Sequence, residues 1–212
     1  MNDTLMVIGE ALIDFIPTEQ GMALKDVCSF TKHCGGAPIN IAAATAKLGA
    51  HSKVLTQVGA DAFGDFILET LSLCQVDITA VKRTKQYPTA LAFVALDEKG
   101  NRDFTFYRDP CADLHLSAED ITATMFQDCG ILHFCSVDLV DSPMKQAHLK
   151  AIQLAKEQGA IISFDPNVRL PLWSSKEDCK NTILEFAPYA DILKISDDEL
   201  FFLTGQKDCE QV

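Results

Sequence analysis

Short apolar runs free of charge alternate along this chain with segments whose apolar residues recur at helical spacing, and that alternation limits the fold more than any other feature. Thr4–Thr18 reads as a buried strand, broken at Gly9–Glu10 and followed by a second extended piece. Ser52–Gly59 reads as another buried strand, and "GILHFCSV", "AIISFDP" and "DILKIS" as three more. Between them lie a helix opened by Gly35–Gly49, an amphipathic helix over Asp61–Val76, and "SPMKQAHLKAIQLAKEQG" with Pro143 in its first turn. "SSKEDCKNTILEFAPYA" and the short "DDELFFLTG" follow. Strands apolar on both faces need cover on both faces, so the pattern predicts an α/β domain with a parallel sheet between two layers of helices.

Two stretches break the alternation. Asp14–Thr31 has no βαβ character, and Thr89–Arg108 places two extended runs on either side of "DEKGN", which predicts a β-hairpin. Ligands of parallel α/β sheets bind beyond the carboxyl ends of the strands. Extended flaps near that edge therefore predict a small β-sheet lid, formed by about residues 11–32 and 88–109. No repeat, low-complexity segment or polar linker divides residues 1–212, which read as a single domain.

Charge and cysteine content narrow the function classes. A formal net charge of -12 excludes a broad nucleic-acid surface but leaves room for a small anion at one helix N-terminus or one basic side chain. The eight cysteines contain no CxxC pair, and the apolar context of Cys129 and Cys135 predicts buried free thiols. "MNDTLMVIGEAL" is acidic, and its apolar run is too short for a signal peptide or a membrane span, so a cytoplasmic protein without membrane partners is expected.

The chemistry-bearing residues begin with "HCGGAPINIAAATAKLG". Gly35 and Gly36 permit a close backbone approach, Pro38 suits a first helical turn, and the alanines let a helix lie close to a sheet. A tight loop–helix junction would explain all of that. Asn40 adds a second reading, because its amide offers a donor and an acceptor to a ligand hydroxyl. The stretch lacks GxGxxG and GKS/T, so it is neither a dinucleotide fingerprint nor a P-loop. "FDPNVRLPLW" follows a buried strand and brings Asp165, Asn167 and Arg169 to the carboxyl edge. Ser196 and Glu199 have the spacing of a helix capping box.

Gly35-Gly36-Ala37-Pro38-Ile39-Asn40-Ile41-Ala42, with Gly49 and Gly59 beyond, resembles the N-terminal signature of the PfkB (ribokinase-like) carbohydrate kinases. "GEALIDFIP", "VGADAFGDF", "FTFYRDPCADLHL", "DPNVRLPLW" and "ILKISDDEL" are similar to fructokinases in particular. The resemblance implies a Rossmann-like core with a β-sheet lid and transfer of the ATP γ-phosphoryl group to a ketose, D-fructose giving fructose 6-phosphate. A 2-keto-3-deoxygluconate kinase and a non-catalytic sugar-binding fragment are the alternatives. By the same resemblance Asp14, Gly35, Gly36, Asn40, Arg108 and Asn167 would bind the sugar, with Arg108 pointing into its site. Arg169 would stabilise the transferring charge or anchor its loop on Asp165. Lys194 and Ser196 would lie near the nucleotide, and Glu199 would organise Mg2+ indirectly. ATP and Mg2+ are the implied cofactors, with a monovalent cation such as K+ beside them, and some relatives pair their lids into a homodimer.

Family members also carry an Asp-Thr-x-Gly-Ala-Gly-Asp segment near the C-terminus, whose last aspartate is the catalytic base. No such segment stands in this sequence, and "VGADAFGD" belongs to the N-terminal signature, so neither Asp61 nor Asp65 is expected to be the base. The chain is accordingly expected to be C-terminally incomplete and inactive by itself.

Overall fold

A computed structural model describes residues 2–19, 21–96 and 102–206. Its strands are β1 (Thr4–Ile8), β2 (Leu12–Pro17), β3 (Phe30–Gly35), β4 (Ser52–Gly59), β5 (Val81–Thr84), β6 (Ala90–Leu96), β7 (Arg102–Tyr107), β8 (Cys129–Cys135), β9 (Ile161–Asp165) and β10 (Ile192–Leu193). Its α-helices are α1 (Ala37–Lys47), α2 (Ala62–Leu73), α3 (Pro143–Glu157), α4 (Lys176–Phe186) and α5 (Asp197–Thr204). Six strands form a parallel sheet in the order β10-β9-β8-β1-β4-β5, and four form a smaller sheet in the order β3-β2-β6-β7.

The parallel sheet exists because its strands have no polar face to offer water. Met6, Ile8 and Leu55 point to one side and pack with Leu132, Phe134 and Phe164 against Met144, Ala147 and Ala151 of α3 and Ile183 and Phe186 of α4. Val7, Val54 and Val58 point to the other side and meet Ile39, Ala42 and Ala46 of α1 and Ile67 and Leu71 of α2. Each large side chain so buried contributes about 1.5–3 kcal/mol. The small side chains of Ala42 and Ala46 let α1 pack directly on β1 and β4, which carries its N-terminus to the carboxyl end of β1.

That end is the switch point of the sheet. From β1 the chain moves to β4 and β5 on one side, and later to β8, β9 and β10 on the other. The crevice where the order reverses receives the segments following β1, β8 and β9. The smaller sheet stands over it, built from two antiparallel hairpins, β2–β3 and β6–β7, joined through the parallel pair β2–β6. The "DEKGN" turn expected for the second hairpin lies outside the described residues.

"VGADAFGD" fastens the two sheets together. Asp61 caps α2 by accepting from the Phe63 and Gly64 amides, and it also accepts from the Thr89 amide and hydroxyl at the entry to β6. Asp65 pairs with Arg83. Strand β10 is shorter than "DILKIS" suggests, because only Ile192 and Leu193 pair with β9 before Ser196 caps α5. Seven cysteines, Cys129 and Cys135 among them, are free thiols among the described residues. No helix among the described residues is long and apolar enough to cross a membrane.

Candidate active site

Gly36 is set by the neighbouring backbone and Gly35 by the Asp14 side chain. Gly36 has φ +116°, and a Cβ there would lie 2.3 Å from the Glu10 carbonyl oxygen. A Cβ on Gly35 would lie 2.2 Å from the Asp14 carboxylate. Glycine at both positions lets β3 turn into α1 directly against the β1–β2 connection. Glu10 completes the turn, its Oε1 accepting from the Ala37 amide at 2.8 Å.

Asp14, Gly36 and Asn40 line one cavity of about 180 Å3 with Asn167 and Arg169, under Phe104 and Phe106 of β7. Asp14 arrives from the lid sheet, Asn40 from the first turn of α1, and Asn167 from the carboxyl end of β9. Asn167 takes a left-handed conformation, φ 45°, with its amide bonded to Asp165 Oδ1 at 3.2 Å, and asparagine is among the few residues that adopt it readily. The cavity thus gathers two carboxyl groups, those of Glu10 and Asp14, with two amides and one guanidinium, a set suited to a compact molecule rich in hydroxyls.

A second cavity of about 610 Å3 adjoins it, lined by Ser196, Asp198, Glu199 and Phe202, and shares Phe104 and Arg169 with the first. Arg169 therefore stands between the two, its Nη1 donating to the Val168 carbonyl at 3.0 Å and its guanidinium 5.7 Å from the Phe104 ring centre. The loop anchor to Asp165 is not Arg169 but Lys194, whose Nζ lies 3.0 Å from Asp165 Oδ2. The capping box is present: Ser196 accepts from the Glu199 amide, and Glu199 Oε2 accepts from the Ser196 amide and hydroxyl. Glu199 Oε1 accepts from the Val168 amide at 2.8 Å, tying the Arg169 loop to α5. Burial pushes the Glu199 carboxyl up, but these donors outweigh it and hold the group below the usual glutamate value. Both Glu199 oxygens are thus engaged, and no three His, Cys, Asp or Glu side chains gather into a metal site among the described residues.

Arg108 does not line the Asp14–Asn40 cavity itself but an adjoining one of about 560 Å3, with Phe104, Phe106 and Val137 shared between the two. Arg108 is buried, with Nη2 2.7 Å from Asp113 Oδ2 and 2.5 Å from Asp138 Oδ1, and both carboxylates are closed to solvent. Burial alone would lower the guanidinium pKa, yet the two carboxylates raise it well above its ordinary value. Local pattern does not reveal this, because Asp113 and Asp138 come from the turns after β7 and β8. Glu10 was missed as well, although an acidic residue inside the run "VIGEALI" signals a buried carboxyl group with a partner.

A family model described as pfkB family carbohydrate kinase matches residues 2–212. The chain is 42% identical over 199 residues to the Arabidopsis thaliana protein named probable fructokinase-2, covering 94% of this chain and 60% of that one. It is 41% identical over 201 residues to fructokinase-2 of Solanum lycopersicum, covering 95% and 61%. The crystal structure of fructokinase with bound ATP from Xylella fastidiosa superposes with a TM-score of 0.87 at 35% identity, covering 97% of this chain and 64% of that one. The chain thus spans about three fifths of the length of the curated relatives it matches.

Proposed function

The chain belongs to the pfkB family of carbohydrate kinases, and from that premise we propose that its site binds D-fructose for phosphorylation by ATP at the primary hydroxyl that becomes the 6-phosphate. The observation that carries this reading is Arg169 standing between two adjoining cavities, one lined by hydroxyl-binding groups and the other by Ser196 and Glu199. Asp14 accepts from sugar hydroxyls, while Asn40 and Asn167 donate and accept, fixing the ring. Phe104 and Phe106 cover it from the lid and exclude water, which suppresses wasteful hydrolysis of the phosphoryl donor. Arg169 faces the charge that develops on the transferring group. The likeness to the ATP-bound fructokinase supports ATP as donor.

Charge favours a neutral ketose over a keto-acid sugar. A carboxylate-bearing substrate would draw Arg169 away from the transferring group, because Arg108 is committed to Asp113 and Asp138. Asp14 on the same cavity wall would repel an acid.

The hydroxyl proton needs an acceptor, and three carboxyl groups near the sugar have other tasks: Asp14 holds sugar, Glu10 holds the turn and Asp61 caps α2. We propose on this ground that the chain alone binds fructose without turning it over. Calorimetry with fructose and with 2-keto-3-deoxygluconate, followed by a coupled ADP-release assay with MgATP, tests this. Expected are millimolar or tighter fructose binding, its loss in Asn40→Ala, no binding of the keto acid, and no turnover until a Gly-Ala-Gly-Asp segment is supplied. Absence of fructose binding removes the reading, and fructose-dependent ADP release by the chain alone shows that a base lies within it.

A further inference from the structure

Three cavities meet at Phe104. It lines the one that gathers Asp14 and Asn40, the one beside Ser196 and Glu199, and the third, of about 560 Å3, that Arg108 borders. Under the fructose reading the first holds the sugar ring and the second the phosphoryl donor, which leaves the third without an occupant. It is the larger neighbour of the sugar cavity, about 560 Å3 against about 180 Å3.

The third cavity is continuous with the first. Phe104, Phe106, Val137 and Leu172 are walls of both. The rings of Phe104 and Phe106 lie 5.5 Å apart and 5° from parallel, so one aromatic ceiling runs from the sugar cavity into its neighbour. Leu114 and Val140 line the third cavity and not the first, and both are half-buried. The charge of Arg108 is spent on Asp113 and Asp138. Asp109 and Asp141 also border the space but are exposed. A guest therefore meets apolar and aromatic surface, with carboxylates at the solvent edge.

Direction follows from Arg169, which stands between the first two cavities and does not line the third. A fructofuranose whose 6-hydroxyl meets Arg169 turns its anomeric carbon elsewhere, because C2 and C5 flank the ring oxygen on opposite sides and C5 bears C6. We propose that the third cavity is a subsite for a substituent on that anomeric carbon, so that the site binds fructofuranosides carrying a neutral aromatic aglycone as well as fructose itself, with Leu114 and Val140 setting the preference. The inference rests on the fructose reading for which end of the sugar enters, and on the continuity of the two cavities for the subsite itself. An aryl group there exchanges water for the Phe106, Leu114 and Val140 surfaces. A carboxylate on the aryl ring is repelled by Asp109 and Asp141.

Calorimetry on the full chain with methyl, benzyl and 4-carboxybenzyl fructofuranosides of one anomeric configuration tests this. The benzyl compound is expected to bind about ten-fold more tightly than the methyl one, and the 4-carboxybenzyl compound to lose most of that gain. Val140→Trp fills the subsite and Leu114→Ala strips part of its wall. Each should erase or reduce the benzyl gain while leaving the methyl fructofuranoside Kd unchanged, which also shows that the variant is folded. A benzyl compound no tighter than the methyl one overturns the proposal, as does a gain that survives both substitutions. Benzyl alcohol alone, followed by NMR of the Leu114 and Val140 methyl groups in the wild type, separates the two readings. Shifts there without binding of fructose or any fructofuranoside remove the sugar reading and keep an aryl-binding cavity, whereas methyl groups that do not move overturn the subsite.

Discussion

His148 occupies the middle of α3 with no exposure to solvent, its Nδ1 donating to the Met144 carbonyl at 2.9 Å and its ring edge-on to Phe134. Burial lowers its pKa to about 4. Between the ordinary histidine value and that one, the unfolded chain takes up a proton that the folded chain refuses. Stability is therefore lost as pH falls from about 6.5 to about 4, by up to roughly 3 kcal/mol. His148→Leu removes the titration at nearly constant volume. Urea midpoints measured across this range should fall less in the variant than in the wild type, and parallel curves would show that His148 is not the group responsible. Glu10 acts in the opposite direction: its raised pKa favours the fold at low pH, and that contribution fades as pH rises through about 7.

At the scale of elements, caps differ in how much they hold. Ser175 accepts only from the Asp178 amide and serves α4 alone. Asp61 serves α2 and the entry to β6 at once, through four bonds. Ser175→Ala should cost about 1 kcal/mol, and Asp61→Ala about 2–3 kcal/mol because the Thr89 groups lose their acceptor too. Chemical denaturation of the two variants checks the ordering, and equal losses would mean that the β6 tether adds nothing. Much of this level is legible in the sequence, since a strand over Ser52–Gly59 and a capping box at Ser196 and Glu199 follow from local pattern and spacing. The bonds of Asp61 to Thr89, and of Glu199 to Val168, are not legible there, because residues distant in the chain meet only once both sheets are in place.

Across the whole molecule, order follows burial. Met6, Val7 and Ile8 of β1 are closed to solvent between β8 and β4, whereas Ile192 and Leu193 of β10 are half exposed and pair only with β9 among the described residues. Amide exchange should therefore be slowest in β1 and fastest in β10 and the exposed turns of α5. Comparable protection in β10 and β1 would mean that the sheet opens only as a unit. The parallel sheet and the lid could be read from apolar runs and a hairpin pattern because those follow from period. The fate of Arg108 could not, since a charged residue at the end of an extended run looks alike whether it meets a ligand or two buried aspartates.

The pairing of β2 with β6 has a consequence in time. Leu12 lies beside Ala90 although β3, α1, β4, α2 and β5 are spelled between them. The β2–β3 hairpin is local and closes early, but uniting it with β6–β7 must await the loop that the intervening half-domain shortens by folding. During synthesis the first ribbon of the lid leaves the ribosome well before the strand that completes it. Until that strand arrives, one flank of β2 is bare.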